Sequence, residues 1–429
     1  MKVIIDKLVD SIIQGVFNLQ RKSGEFTFQH LETEDDVEQN LELMRTVFRQ
    51  EGVDNFVKKL ITHHPTMMLE DFLVMKHDGK IVASLNLIPV KWSIGGMPLK
   101  VAEMGCVATL AQYRHRGLQR RLINEFHKRA AEKEYDLCAI EGIPYFYRQF
   151  GYEYALPLDQ ETKISLNQIP DYESNLNIRP FTDEDIPKAM QLLGESQKKF
   201  YVHSIRDEKI WKMQQETRIA SGDKFEGYAL ENNGEMMTYF RIRGKSETKE
   251  LILREATETD QYTGEAILRF LKYTGKQRQL ENLNSHTSYN DPLARQLVAL
   301  GAVQRIPPYA WQIKIVDYAK IFQKMKPLFE KRLASSTYCH LTETLSFNFY
   351  RYIVQITVEN GKIRDISKLD SSEDRRILVN PEVFAQLLLG HRSREELEVV
   401  YPDFIIRSNQ KNLIDVLFPK LPSHIHPAY

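Results

Sequence analysis

Apolar residues recur every four positions at the start of the chain (Ile4/Ile5, Leu8/Val9, Ile12/Ile13, Val16/Phe17), the stripe of an amphipathic helix. Lys2, Asp6, Lys7 and Asp10 interrupt that stretch. Residues 1–24 are therefore expected to pack as a helix on a neighbouring domain or subunit, and to be neither a signal peptide nor a spanning segment. From Glu25 the pattern turns to the alternation of a strand (Phe26, Phe28, His30). A helix start follows at Thr33-Glu34-Asp35-Asp36, where a hydroxyl and carboxylates suit the orphan amides of a first turn. A second helix is expected through residues 56–60. Strands at 72–76 and 80–89 are joined by Asp78-Gly79, a hairpin signal. Gly95-Gly96 turns the chain into a strand over 99–109. A helix over 118–133 and an apolar strand over 136–140 follow.

The same order recurs. Asn177-Ile178-Arg179-Pro180-Phe181 leads into Thr182-Asp183-Glu184-Asp185-Ile186, echoing Thr33 to Val37, and Asn233-Gly234 repeats the hairpin signal. Gln261-Tyr262-Thr263-Gly264-Glu265-Ala266 matches Arg114-His115-Arg116-Gly117-Leu118-Gln119, and Leu300-Gly301-Ala302 matches Phe150-Gly151-Tyr152. Four matches near one offset of about 150 residues predict a duplicated domain. Beyond Trp311 the pattern differs. A strand at 312–317, a helix at 318–333, an alternating strand over 347–358 ending at Asn360-Gly361, a helix over 381–389 closed by Gly390, and a short helix at 412–417 are expected. The domains are then 25–160, 161–310 and 311–429, after the 1–24 extension.

Composition narrows function by exclusion. The chain has 429 residues, 42% hydrophobic and 27% charged, which is ordinary for globular protein and too long for one core. Lys plus Arg and Asp plus Glu are 58 each, and a zero net charge argues against a nucleic-acid partner. No membrane partner is expected. Three cysteines (Cys106, Cys138, Cys339) without a CxxC pair fit a reducing cytoplasm. Cys106, in an apolar strand with no neighbouring base, reads as a buried core thiol. His63-His64 and His424-x-His426 lack further ligands at metal spacing and read as loop histidines, so no metal is expected.

Candidate chemistry lies between Glu103 and Tyr152. Arg114-x-x-Gly117-x-Gln119 separates an apolar strand from an amphipathic helix. There a glycine lets the backbone approach a phosphate, and the free amides of the helix start point at the anion. Arg114, Arg116, Arg120 and Arg121 suit a polyanion such as coenzyme A; the alternative is an Arg-rich solvated turn.

This strand, turn, helix, strand and the following Phe146-Tyr147-Arg148-Gln149-Phe150-Gly151-Tyr152 together resemble the GNAT superfamily of N-acetyltransferases. The superfamily's phosphate loop reads [QR]-x-x-G-x-[GA], and Gln119 departs from it at the last position. The three-domain order resembles the Eis-like acetyltransferases, in which two GNAT domains, the second degenerate, precede a domain resembling sterol carrier proteins. The resemblance covers nearly the whole chain from about residue 25. It implies an α+β protein with tandem GNAT-fold domains, mixed sheets flanked by helices, and then a sterol-carrier-like α+β domain.

The resemblance also implies roles. Acetyl-CoA is the co-substrate. Backbone amides of Val107, Ala108 and Thr109 polarise the thioester carbonyl, and the loop of Arg114, His115, Arg116, Gly117, Leu118, Gln119 and Arg120 holds the pyrophosphate. Tyr147 matches the general acid, a phenol able to protonate the departing thiolate. For the base, Eis-like enzymes use the terminal carboxylate, which falls to Tyr429. Other members use a strand glutamate eleven residues before the loop, which falls to Glu103. The second copy is expected to be inactive, because Glu258, Asp260 and Glu265 crowd Gln261-x-x-Gly264-x-Ala266, and Leu297 stands where Tyr147 does in the first. Glu250 keeps the glutamate spacing. The implied acceptor is a primary amine on a small or polycationic molecule (aminoglycoside-like, polyamine or lysine), and self-association is implied too. The rival class is a non-catalytic protein that senses coenzyme A or binds an apolar ligand in its third domain.

Overall fold

Alternation and hairpin signals act as read at the start of the chain, within a computed structural model that describes residues 25–158, 160–370 and 376–429. The helix expected over 1–24 lies outside these residues. β1 (Phe26–His30) leads into α1 (Glu34–Phe48). At its start the Asp36 amide donates to the Thr33 hydroxyl at 3.1 Å, and the Asp36 carboxylate accepts from the Thr33 amide at 3.3 Å. α2 (Val53–His63) follows, then β2 (Phe72–His77) and β3 (Lys80–Ile94), antiparallel across Asp78-Gly79. Both turn residues hold positive φ, 49° and 77°, as a two-residue hairpin requires. β1 pairs with β2. β4 (Met97–Thr109), α3 (Leu118–Glu132), β5 (Leu137–Ile140) and β6 (Glu153–Pro157) complete the first copy.

The described residues form two compact units: 25–61, 68–87 and 106–126 in one, and the rest in the other. The first holds β1, β2, the beginning of β3, α1, most of α2, the end of β4 and the start of α3. In the second, β4 pairs in parallel with β5 through Val101 to Glu103, so parallel and antiparallel pairings coexist in this copy.

Residues 161–310, the second copy expected from the sequence, hold a further set of strands and helices. β7 (Thr162–Ser165) and β8 (Asn177–Pro180) precede α4 (Ile186–Gln197), β9 (Val202–Ile205), α5 (Glu208–Thr217) and the small hairpin of β10 (Ile219–Ala220) and β11 (Asp223–Lys224). Then come β12 (Glu226–Asn232), β13 (Glu235–Lys245), β14 (Glu250–Ala256), α6 (Gln261–Gln277), β15 (Asn282–Ser285), α7 (Pro292–Ala299) and β16 (Val303–Gln304). The sheet runs β16-β7-β15-β14-β13-β12-β8. Leu251, Leu253, Ile267, Leu271 and Leu283 are buried between it and α6.

β17 (Ala310–Ile315), at the opening of the stretch expected as a third domain, pairs with β5 and β6, Gln312 standing opposite Ile140 and Tyr154. β7 in turn precedes the second copy's other elements and lies between β15 and β16.

The remaining chain is α8 (Tyr318–Ala334), β18 (Glu343–Asn348), β19 (Ile353–Glu359), β20 (Lys362–Leu369), β21 (Ile377–Leu378), α9 (Pro381–Leu388), α10 (Arg394–Val400), β22 (Ile405–Ile406) and α11 (Ser408–Leu417). Its five strands run β20-β19-β18-β21-β22. The single strand expected over 347–358 is two antiparallel strands. The chain turns because the Tyr350 amide donates to the Asn348 side chain at 2.9 Å and Tyr350 adopts φ 66°. The rings of Phe322, Phe347, Phe384 and Phe418 pack edge-on or tilted in the interior, centroids 5.2 to 6.0 Å apart.

Candidate active site

In the first unit, β4 ends and a short turn delivers the chain to α3. Arg114 is extended, His115 and Gly117 take positive φ (62° and 74°), and Leu118 begins the helix. A Cβ placed on Gly117 would meet nothing within 4 Å, so the backbone there is open to an approaching group. No acidic residue occupies the first turn of α3. Its dipole therefore meets Arg114, Arg116 and Arg120, all exposed, as is His115, and no side-chain anion. Arg114 donates to the Thr109 carbonyl at 3.4 Å, and Arg116 lies 5.6 Å from the Tyr113 ring centre. Arg121 donates to the Phe26 carbonyl at 3.1 Å.

Gln119 stands where the resembling loop carries glycine or alanine. Its amide donates to the Ala108 carbonyl at 2.7 Å and the Thr109 hydroxyl at 3.0 Å, with the Ser84 carbonyl at 3.3 Å. The side chain thus ties the helix start to the strand end.

Cys106 departs from its expected role as a core residue. It is half-buried and holds φ 50° inside β4. A left-handed residue in a strand interrupts the regular alternation of backbone donors, so the amides of Val107, Ala108 and Thr109 follow a kink that sequence pattern does not reveal.

In the second unit, Glu103 on β4 is 4% exposed and Tyr429 is 5% exposed. The Tyr429 phenol donates to Glu103 Oε1. Burial raises the Glu103 carboxyl well above the ordinary glutamate range, and the charge of Glu141, just after β5, pushes the same way. The phenol's hydrogen bond opposes both. The Tyr429 backbone oxygen accepts from the Ser221 amide at 2.5 Å, so the phenol is the part of this residue that meets Glu103.

Tyr147 opens a single 3-10 turn (Tyr147–Phe150) closed by Gly151 at φ 85°. It is 4% exposed, and burial raises its phenol above the ordinary value. Tyr145 is 81% exposed, while the buried Tyr152 packs its ring edge-on to Tyr147, centroids 6.1 Å apart, with its hydroxyl 3.1 Å from the His127 ring. A residue missed by sequence reasoning sits against Tyr147. A Cβ on Gly142 would lie 2.3 Å from the Tyr147 ring, and the Gly142 carbonyl is held by the Gln312 amide at 2.8 Å. The structure thus brings Glu103 and Tyr429 together, and places the 114–120 turn in the first unit and Tyr147 in the second.

His424 and His426 are not simple loop histidines. Both are buried, their rings 4.5 Å apart, and each accepts or shares a hydrogen bond with a glutamine: Gln160 at 3.2 Å and Gln197 at 3.1 Å. His64, also buried, is met by the Thr66 and Met67 amides. Among the described residues no cluster of three metal-binding side chains exists, and no helix is long and apolar enough to cross a membrane.

Residues 30–155, which include Glu103, the 114–120 turn and Tyr147, match the family model of the acetyltransferase (GNAT) domain. The chain therefore carries a GNAT acetyltransferase domain. No curated protein matches it. A crystal structure of a GCN5-related N-acetyltransferase from Anabaena variabilis is 16% identical with a TM-score of 0.72, covering 94% of this chain and 100% of its own. A probable N-acyltransferase from Enterococcus faecalis gives 16%, 0.71, 94% and 100%. Eis1 from Mycobacterium abscessus gives 12%, 0.61, 92% and 98%. At these identities the likeness establishes the fold, GNAT-like and mixed α+β.

Proposed function

We propose that this chain is an acetyl-CoA-dependent N-acetyltransferase that transfers an acetyl group directly to a primary amine of a cationic acceptor. The observation that carries the reading is the turn from Arg114 to Gln119: open at Gly117, free of acidic residues at the helix start, edged by exposed arginines, and inside the matched domain. Such a turn can hold a diphosphate through amides and guanidiniums. An amide of the Val107–Thr109 stretch then polarises the thioester carbonyl.

In the reaction, Glu103 takes a proton from the acceptor ammonium and the amine nitrogen attacks the carbonyl carbon. The C–S bond breaks, Tyr147 supplies a proton to the thiolate, and the second proton shed by the nitrogen as it becomes an amide restores the Tyr147 phenol. A carboxyl raised by burial is the stronger base for this step, while a phenol raised by burial keeps its proton until the thiolate departs. Glu103 and Glu141 together favour an acceptor with several positive charges, such as a polyamine, a lysine side chain or an aminoglycoside. A sterol-carrier-like third domain remains part of the proposal through its resemblance.

The test is thiol release from acetyl-CoA with spermine, a lysine peptide and an aminoglycoside. Turnover is expected with at least one, and a loss of about a hundredfold or more in kcat for Glu103→Gln and for Tyr147→Phe. No turnover with any amine, together with tight fatty-acid binding, would establish the non-catalytic alternative.

A further inference from the structure

Residues 422–429 form almost no regular structure, yet they are fastened along their length to the second unit. The Tyr201 amide donates to the Pro422 carbonyl at 2.7 Å, and the Val202 amide to the Ser423 hydroxyl at 3.1 Å. His424 donates its amide to the Val202 carbonyl at 3.0 Å and bridges His203. Gln160, Gln197 and Gln214 then hold, in order, the His424 ring, the His426 ring and the Pro427 carbonyl, the last at 3.3 Å. The Tyr429 backbone oxygen is met by Ser221. A segment fixed at this many points presents its last side chain in one orientation, and that side chain reaches Glu103, 326 residues away in sequence.

We propose that Tyr429 is a positioning residue for Glu103, acting through its phenol, and that residues 422–429 exist as a strap that delivers this hydroxyl. The inference rests on Glu103 being the base. The phenol engages Oε1, so Oε2 is the oxygen that takes the proton from the acceptor ammonium. A hydroxyl donating to a carboxylate also favours its ionised form. Among the described residues, the charged or titratable groups acting on Glu103 are Glu141, which disfavours ionisation, and Tyr429, which favours it; burial sides with Glu141. Without the phenol, nothing among these offsets the desolvation.

The test compares kcat/KM for the amine against pH in three full-length variants. Tyr429→Phe, which keeps the ring, is expected to move the acid limb upward by about one pH unit, a tenfold loss below the limb, with the alkaline plateau and the KM for acetyl-CoA unchanged. A Gly-Ser extension after Tyr429 is expected to leave the profile as in the parent protein, because the main-chain oxygen is not the working group. A parent-like profile for Tyr429→Phe, or loss of activity in the extended protein alone, would overturn the proposal while leaving Glu103 as base. Full activity in Glu103→Gln would remove the base itself, and the proposal with it. Near-ultraviolet circular dichroism of Tyr429→Phe separates a misfolded variant from a mis-tuned base. If folding is lost, Tyr429→3-fluorotyrosine, a stronger donor, carries the test: a downward shift supports the proposal and an unmoved limb overturns it.

Discussion

A Cβ on Gly117 would touch nothing within 4 Å, whereas one on Gly264 would lie 2.2 Å from the Gln296 side-chain oxygen. The two glycines occupy matching places in the two copies, yet Gly117 precedes its helix and Gly264 is the fourth residue of α6. The difference comes from Asp260. Its carboxylate accepts from the Thr263 amide at 2.8 Å and the Thr263 hydroxyl at 2.6 Å, while its own amide donates back to Thr263. Those bonds hold Asp260 below the ordinary carboxylate range. The second copy caps its helix start with a side chain of its own; the first has no acidic side chain in that turn. The same three-residue spacing therefore describes an open turn or a capped helix, according to whether a carboxylate precedes it.

This contrast can be broken most sharply by giving the first turn an anion. Gly117→Asp adds a carboxylate and a side chain at φ 74°, and should weaken acetyl-CoA binding about a hundredfold or more by titration calorimetry. Undiminished affinity would mean the cofactor is held elsewhere. Next in size is Gly142→Ala, whose methyl displaces the Tyr147 ring; kcat should fall about tenfold with acetyl-CoA affinity retained. Equal losses in both would argue for general disruption. In the second copy, Asp260→Ala should cost about 1 kcal/mol in calorimetric stability and create no acetyl-CoA site. A new site would show that capping alone silenced this copy.

The smallest effects concern pH. Activity should fade on the acid side at a pH above the ordinary glutamate value, because Glu103 gains a proton there. In the segment 422–429, burial depresses His424 and His426 below 6.5. The unfolded chain binds protons at these positions first. Their stabilisation is thus complete above pH 6.5 and lost as pH falls toward the folded values. The melting temperature should drop by about 2–4 °C between pH 7.5 and 5.5, and His426→Gln should flatten that slope. A steep slope in His426→Gln would place the sensitivity in other groups.

Local signals in the sequence were legible. Thr33 and Asp36 cap as their spacing requires, and Asp78-Gly79 turns as its residue types require. What depended on distant partners was not. Nothing within residues 310–315 states that they pair with β5 and not with a neighbouring strand. The direction of the Gln119 amide is decided by carbonyls on two strands, and the kink at Cys106 by the backbone around it. Glu103 was legible as a candidate from its spacing, but the hydroxyl that meets it lies at the other end of the chain.

The placement of β17 has a consequence for how such a chain can be divided. A segment cut at residue 160 would carry β5 and β6 without the strand between them, and would expose two rows of unpaired amides and carbonyls. Such a segment is not a portable module. A protein engineer seeking the smallest working fragment would need a circularly permuted chain that keeps residues 310–315 beside 137–140.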